Sequence, residues 1–332
     1  MQNQLINFLR ASLLGIAYMC CSGCSGNKMT GDSSEFTIIR FDADLYQYLT
    51  KNEPDSVLKN YTGFLNVLGE GILSIGKIDS SGFYSRLKTY FSDSTLRHIY
   101  KDEQDKFADI TKVNKELSKG LSAFLQQFPQ IKPPKVYMHV SGFSQNVVVT
   151  DEILSLSADK YLGADYPLYQ KYFYDYQRQL MSPDRIVPDY LLGFMMANLP
   201  FKGDEDVLLD RMLYEGKLRY MLSQLLTDRK EWEYVGYNKE QYEWCVQHES
   251  LIWKTILDNH HLFTADYMTT NLYLKDAPHT SPLPDKSPGK AGVWLGYRII
   301  SSYIKHKSNI SWRDLMENVD YKEILKQSKY KP

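Results

Sequence analysis

The chain has 332 residues, is 43% hydrophobic and 24% charged, and carries a formal net charge of -1. That composition excludes a disordered chain. The near-neutral balance excludes a general nucleic-acid binder, which needs a cationic surplus, and no run of about 18 apolar residues offers an ordinary membrane span.

In chain order, residues 1–23 read as a lipoprotein signal peptide. Arg10 and the free amine form its positive end, Ala11–Met19 (ASLLGIAYM) is the apolar stretch, and CCSGC follows. Ser22-Gly23 directly precedes Cys24, the small-residue pattern of a bacterial lipobox, where the cysteine is acylated and becomes the mature N-terminus. Cys21 stands where leucine is usual. Cys20 and Cys21 are poorer acceptors, because Met19 and Cys20 precede them. The pattern predicts lipidation at Cys24 and membrane attachment through that lipid. Asn27 and Lys28 form no recognisable acidic surface-export signal, which favours a periplasm-facing location. With residues 1–23 removed, Cys245 has no intramolecular partner, so the fold must rest on its apolar core. Residues 24–35 are polar and rich in Gly and Ser, a flexible tether. Residues 36–332 then form a single domain.

Thr37–Phe41 (TIIRF) is strand-like, and a short helix is expected around Asp44–Leu49. Pro54 opens another helical pattern. The clearest helix is Lys106–Phe128, with an apolar stripe from Phe107 and Ile110 through Leu117, Leu121 and Phe124 to Phe128. Pro129 ends it, and Pro133-Pro134 marks a boundary. Lys135–Val140 and Gln145–Thr150 alternate like strands, Ile153–Ser157 adds a third, and together they predict a small antiparallel sheet. Gln145–Thr150 is expected at its edge. Tyr169, Tyr172, Phe173, Tyr176 and Leu180 recur at helical spacing, which favours a packed face over a sugar-stacking platform. Further helices are predicted at Asp189–Asn198, Glu205–Leu226, Lys239–Asp258, Gly292–Lys305, Trp312–Val319 and Tyr321–Lys326. Ala277–Lys290 carries four prolines and is irregular: a lid, a binding loop or a connector. The order is helices, a small sheet, then many helices: an α+β fold dominated by helix.

The chemistry-bearing residues are sparse. His248-Glu249 is the nearest approach to HExxH, but Ile252 replaces the second ligand. Glu249 and His260 share a helix face yet stand about 16 Å apart along it, too far for one ion. No G-x-S-x-G elbow, P-loop or dinucleotide glycine motif is present. Cys245 and His248 could pair on one helix face, although a buried cysteine in an amphipathic helix is the simpler reading. No metal or cofactor is expected.

Three stretches carry a family resemblance: Leu154–Tyr169, containing SLSADKYLGADYPLY; Leu208–Met221 with YEGKLRYM, continued by VGYNKEQYEWCVQHESLIW (Val235–Trp253); and APHTSP with SPGKAGVWLGYRIISSYI (Ser287–Ile304) and the terminal SKYKP. With the lipobox, they resemble the GldB family of gliding-motility lipoproteins of Bacteroidetes-type bacteria. That family is in turn similar to predicted zinc metallopeptidases, in which an HExxH helix precedes a helix bearing Glu-Gly and a late G-Y/W-x-x-G-Y-x-I helix. Here Glu215-Gly216 match the pair, and Gly292, Trp294, Gly296, Tyr297 and Ile299 match the late helix. The HExxH helix would fall near Val187–Leu192 or on Tyr214–Leu218, and neither holds a histidine. Asp189 would take the place of the proton-transferring Glu, with Pro188 and Leu192 where ligands belong.

The resemblance thus implies a zincin-like fold with a degenerate metal site and no catalytic residues. Candidate vestiges are Asp189, Glu215, Gly216, Trp294, Tyr297 and Arg298. It also implies a pseudo-peptidase acting through contacts with envelope proteins of the motility and type IX secretion machinery. A hydrolase with a non-standard site and a carbohydrate-binding lipoprotein are the alternatives. Glu215, without a metal, needs a cation, and Arg219 or Arg298 is expected to supply it.

Overall fold

The computed structural model describes residues 36–51, 53–307 and 309–332. The predicted signal peptide, Cys24 and the tether lie outside the described residues. The first helices are α1 (Phe41–Lys51), α2 (Thr62–Asn66), α3 (Phe83–Tyr90), α4 (Ser94–Lys106) and α5 (Thr111–Gln127). Strands β1 (Lys135–His139), β2 (Val147–Val149) and β3 (Ile153–Ser157) follow. Next come α6 (Tyr169–Tyr172), α7 (Asp175–Arg178), α8 (Ile186–Asn198), α9 (Leu208–Leu225), α10 (Glu231–Val235), α11 (Lys239–Gln247) and α12 (Glu249–Asp258). The last are α13 (Tyr267–Leu274), α14 (Ala291–His306), α15 (Trp312–Glu317) and α16 (Tyr321–Ser328). The helix-dominated α+β reading holds, with a three-stranded sheet.

The sheet corrects the antiparallel expectation. Its order is β1-β3-β2, with β1 parallel and β2 antiparallel to β3. Alternation had marked the strands but could not name their partners. The chain leaves β1 through Gly142 and Phe143, both left-handed with φ of 65° and 67°, and crosses to the far side of β3. Asp159, just beyond β3, accepts from the Ser141 and Phe143 amides and holds that turn. β2 therefore lies at an edge, as Gln145–Thr150 was expected to. Thr37–Phe41 is not a strand. Ile39 makes one bridge to Tyr137, while the Phe36 and Ile38 amides bond Ser118 and Asn114 of α5.

The sheet separates two apolar cores, because successive side chains point to opposite faces. Val136, Met138, Leu154 and Leu156 face the larger core with α5, α8, α9 and α14, while Tyr137, Val140 and Ile153 face a smaller one built on α1–α4.

Three expected helical stretches are interrupted. The helix expected over Lys106–Phe128 starts only at Thr111, because the Phe107 carbonyl goes to the Arg40 guanidinium and the Thr111 amide to Asp109. These groups would have bonded each other in a continuous helix. Lys239–Asp258 kinks at His248, whose ring stacks on Trp244 at 4.3 Å and whose Nδ1 lies 2.8 Å from the Trp244 carbonyl. Phe173 is extended and splits the tyrosine segment into α6 and α7.

α14 is the centre of the larger core, with Ala291–Tyr297 all buried. It crosses α9 at backbone contact. A Cβ on Gly216 would sit 2.3 Å from the Gly296 carbonyl, and one on Gly296 would sit 1.9 Å from that of Met212. The Ala277–Lys290 segment is packed against the start of α14. Thr280 is fully buried, donates through Oγ1 to the Pro288 carbonyl (2.7 Å) and accepts from the Ala291 amide (3.1 Å).

Gly296→Ala should therefore lower unfolding stability by about 3 kcal/mol, since backbone cannot yield as a side chain does. Gly63→Ala, inside α2 where a Cβ meets nothing within 4 Å, should instead raise stability, by about 0.4–1 kcal/mol. Urea denaturation of both variants checks the contrast.

Candidate functional site

The positions singled out by the resemblance sit on α8, α9 and α14. α8 starts three residues before Asp189, with Pro188 in its first turn, where no amide donor is needed. Asp189 accepts from Arg185 Nη2 at 2.6 Å, four residues back, and from the Tyr161 hydroxyl at 2.9 Å. Arg185 also donates to the Glu233 carbonyl at 2.6 Å. The Asp189 carboxylate is thus neutralised and held by its own helix and one tyrosine.

On α9, Glu215 meets Arg219 at 3.3 Å, with side chains 12% and 11% exposed. The Nε and Nη1 groups of Arg219 are buried with no protein partner among the described residues. Gly216 faces the α14 crossing. Arg298 is not the partner of Glu215. It bonds Glu249 at 3.0 Å, and the Tyr330 hydroxyl of the terminal SKYKP donates to the same carboxylate at 2.6 Å. Trp294 is fully buried, with its ring 6.4 Å from Tyr242 and 5.8 Å from the Arg298 guanidinium. Tyr297 is buried, and burial raises its hydroxyl pKa. The fold therefore gathers Gly216, Trp294, Tyr297 and Arg298 around one helix crossing, and gives Asp189 and Glu215 separate arginines.

Among the described residues no group of three or more His, Cys, Asp or Glu side chains could hold a metal ion. His98 pairs with Asp102, His261 with the Tyr273 hydroxyl, and His279 with Asp285. Cys245 is fully buried, and burial pushes its thiol up to about 12, the opposite of an activated nucleophile.

Sequence reasoning missed the most converged polar cluster. Ser141, Ser157 and Asp159 bond one another, beside a His139–Ser155 contact of 2.7 Å, and all five are fully buried. Burial drives His139 down to about 3, so the ring is neutral. Ser and His at period-two positions gave no signal beyond that of strands. On the tyrosine segment, Tyr169 is buried while Tyr172 and Tyr174 are 63% and 72% exposed. Tyr174 stacks on Tyr176 at 5.9 Å.

A second missed residue is Lys217, directly after Gly216. Its ammonium donates to the Asn318 carbonyl at 2.6 Å and lies 4.6 Å from the Tyr321 ring centre. It ties α9 to α15 and α16 from a fully buried position. Burial lowers its pKa to about 8.

A model of the family described as gliding motility protein GldB matches residues 26–332. Comparison with curated proteins and with solved structures gave no match.

Two outcomes are expected. Arg219→Leu strands a buried Glu215 and should cost about 3 kcal/mol, part of which the double variant Glu215→Leu/Arg219→Leu recovers. A double-mutant cycle by urea denaturation measures this. For Lys217 the folded pKa lies below the ordinary value of 10.5. Between those values the unfolded chain holds more protons, so this group adds stability as pH rises from about 8 to 10.5. The stability deficit of Lys217→Met relative to the native chain should widen over that window. The difference between two chains is the correct measure, because the buried tyrosines act oppositely above pH 10 and are common to both.

Proposed function

The chain belongs to the family of gliding motility protein GldB, and from that membership we propose a cell-envelope lipoprotein that acts by protein contact and not by catalysis. Its anchor is the lipid on Cys24, and its partners are envelope proteins of the motility and secretion machinery. In this reading the body faces the periplasm. The family's lipoprotein designation supports the anchor, and no helix among the described residues is long and apolar enough to cross a membrane.

One observation carries the non-catalytic half. The carboxylates at the positions that the resemblance relates to a peptidase site already have arginine partners: Asp189 with Arg185 and Glu215 with Arg219. A general base needs a free lone pair within reach of a substrate proton. Asp189 instead accepts from both an arginine and a tyrosine, and Glu215 is nearly buried. In this proposal the chain is a zincin-like pseudo-peptidase, a peptidase framework kept for its shape.

The anchor and the contacts are tested together in native membranes. Cys24→Ser should move the chain from the membrane to the soluble fraction, and crosslinks formed to envelope proteins should fall with it. Membrane retention of a normally processed Cys24→Ser chain overturns the anchor. A wild-type chain that forms no specific crosslinks overturns the contact role.

A further inference from the structure

Away from α8, α9 and α14, a cleft of about 410 Å³ opens in the smaller half of the molecule. It runs between α1, the α3–α4 turn and the first two turns of α4. Its apolar wall is Tyr46 and Leu49 from α1, Phe91 from the turn, and Tyr100 from α4. The rings meet at an angle: Tyr46 and Tyr100 are 5.2 Å apart and tilted by 55°, Phe91 and Tyr100 5.4 Å apart and tilted by 48°. Phe91 and Tyr100 are 3% and 2% exposed and form the floor, while the half-buried Tyr46 and Leu49 present the apolar surface against which a flat ring can pack.

The rim is cationic. Lys88, Arg97, His98 and Lys101 line the cleft, and no carboxylate does. Three of them have an acid behind them: Lys88 has Asp55 at 3.6 Å, His98 has Asp102 at 3.4 Å, and Lys101 has Asp105 at 2.6 Å. Arg97 is exposed and makes no ion pair among the described residues. Its planar fork is free for an anion with two oxygens. The cleft is poor in free donors for a sugar. The Thr50 hydroxyl donates to the Tyr46 carbonyl and the Ser92 hydroxyl to that of Thr89, each at 2.7 Å.

We propose that this cleft binds a small organic anion with an aromatic body, the ring packed against Tyr46 and Leu49 over the Phe91–Tyr100 floor and the anion on Arg97. The volume lies in the range of small-molecule sites, which join an apolar lining to a few placed polar groups. A neighbouring depression shares Lys88 and Ser92 but has Asp55 in its wall, so the anion belongs at the Arg97 end. The site does not depend on the lipid anchor or on any envelope partner.

The test is calorimetric titration of the full chain carrying Cys24→Ser, so that no acyl chain competes. Naphthalene-2-sulfonate is the probe and uncharged 2-naphthol its control. The sulfonate should bind at least about tenfold more tightly than 2-naphthol at low salt, a gap that narrows as salt screens the charge. Arg97→Glu should remove that advantage, while Arg97→Lys keeps part of it. A glutamate in the first turn of α4 suits the helix dipole, so the variant should fold. Equal binding of the two probes, no binding of the sulfonate, or unchanged affinity in Arg97→Glu overturns the site.

Discussion

The backbone contact between α9 and α14 is the constraint on which the rest of the larger core depends. Two helices normally keep about 8–10 Å between axes, set by the side chains at the contact. Here glycine faces backbone on both sides, Gly216 against Gly296 and Gly296 against Met212. Once that crossing is fixed, helical geometry sets where the neighbours go. Glu215, Lys217 and Arg219 are turned to other sides of α9, and Trp294, Tyr297 and Arg298 are distributed around α14. The Thr280 bonds fix the start of α14, and the Ser302 hydroxyl bonds the Ser328 carbonyl near its end. The late helix is held at three points.

Buried charges in this fold are met in two ways. The fully buried Asp159 is held by the Ser157 hydroxyl and the Ser141 and Phe143 amides, whereas Asp189, Glu215 and Glu249 are each met by an arginine: Arg185, Arg219 and Arg298. The smaller core repeats it with Arg40 on Asp42, where Glu103 is also fully buried. Burial and the neighbouring Asp42 raise the Glu103 pKa well above its ordinary value. Such pairs add little net stability over apolar packing, but breaking one is costly. They therefore act less as glue than as a restriction on which residues can share a position.

Much of this was legible in the sequence. The apolar periods of α5, α8, α9 and α14 located the core helices, and the i,i+4 spacing of Glu215 and Arg219 foretold their pairing. What failed was decided at long range. The break after α4 depends on Arg40, 67 residues from the Phe107 carbonyl it takes. The parallel pairing of β1 with β3 depends on a left-handed turn that Asp159 stabilises from beyond β3. Arg298 found Glu249 instead of Glu215, because the crossing turns it toward α12 and the chain terminus. The cationic cleft draws on three helices, none of which shows a motif alone.

The same distinction separates the shape of this fold from its charge balance. A carboxylate buried without a cation or hydrogen-bond donors is an uncompensated charge and costly. An arginine four residues away removes that penalty locally, with no change in how helices pack. Arg185 with Asp189 and Arg219 with Glu215 both have this spacing. The charge balance is thus closed locally, while the Gly216–Gly296 crossing is set by shape alone. Shape and chemistry are separable in this fold because one rests on glycine-to-backbone contact and the other on pairs confined to one helix turn.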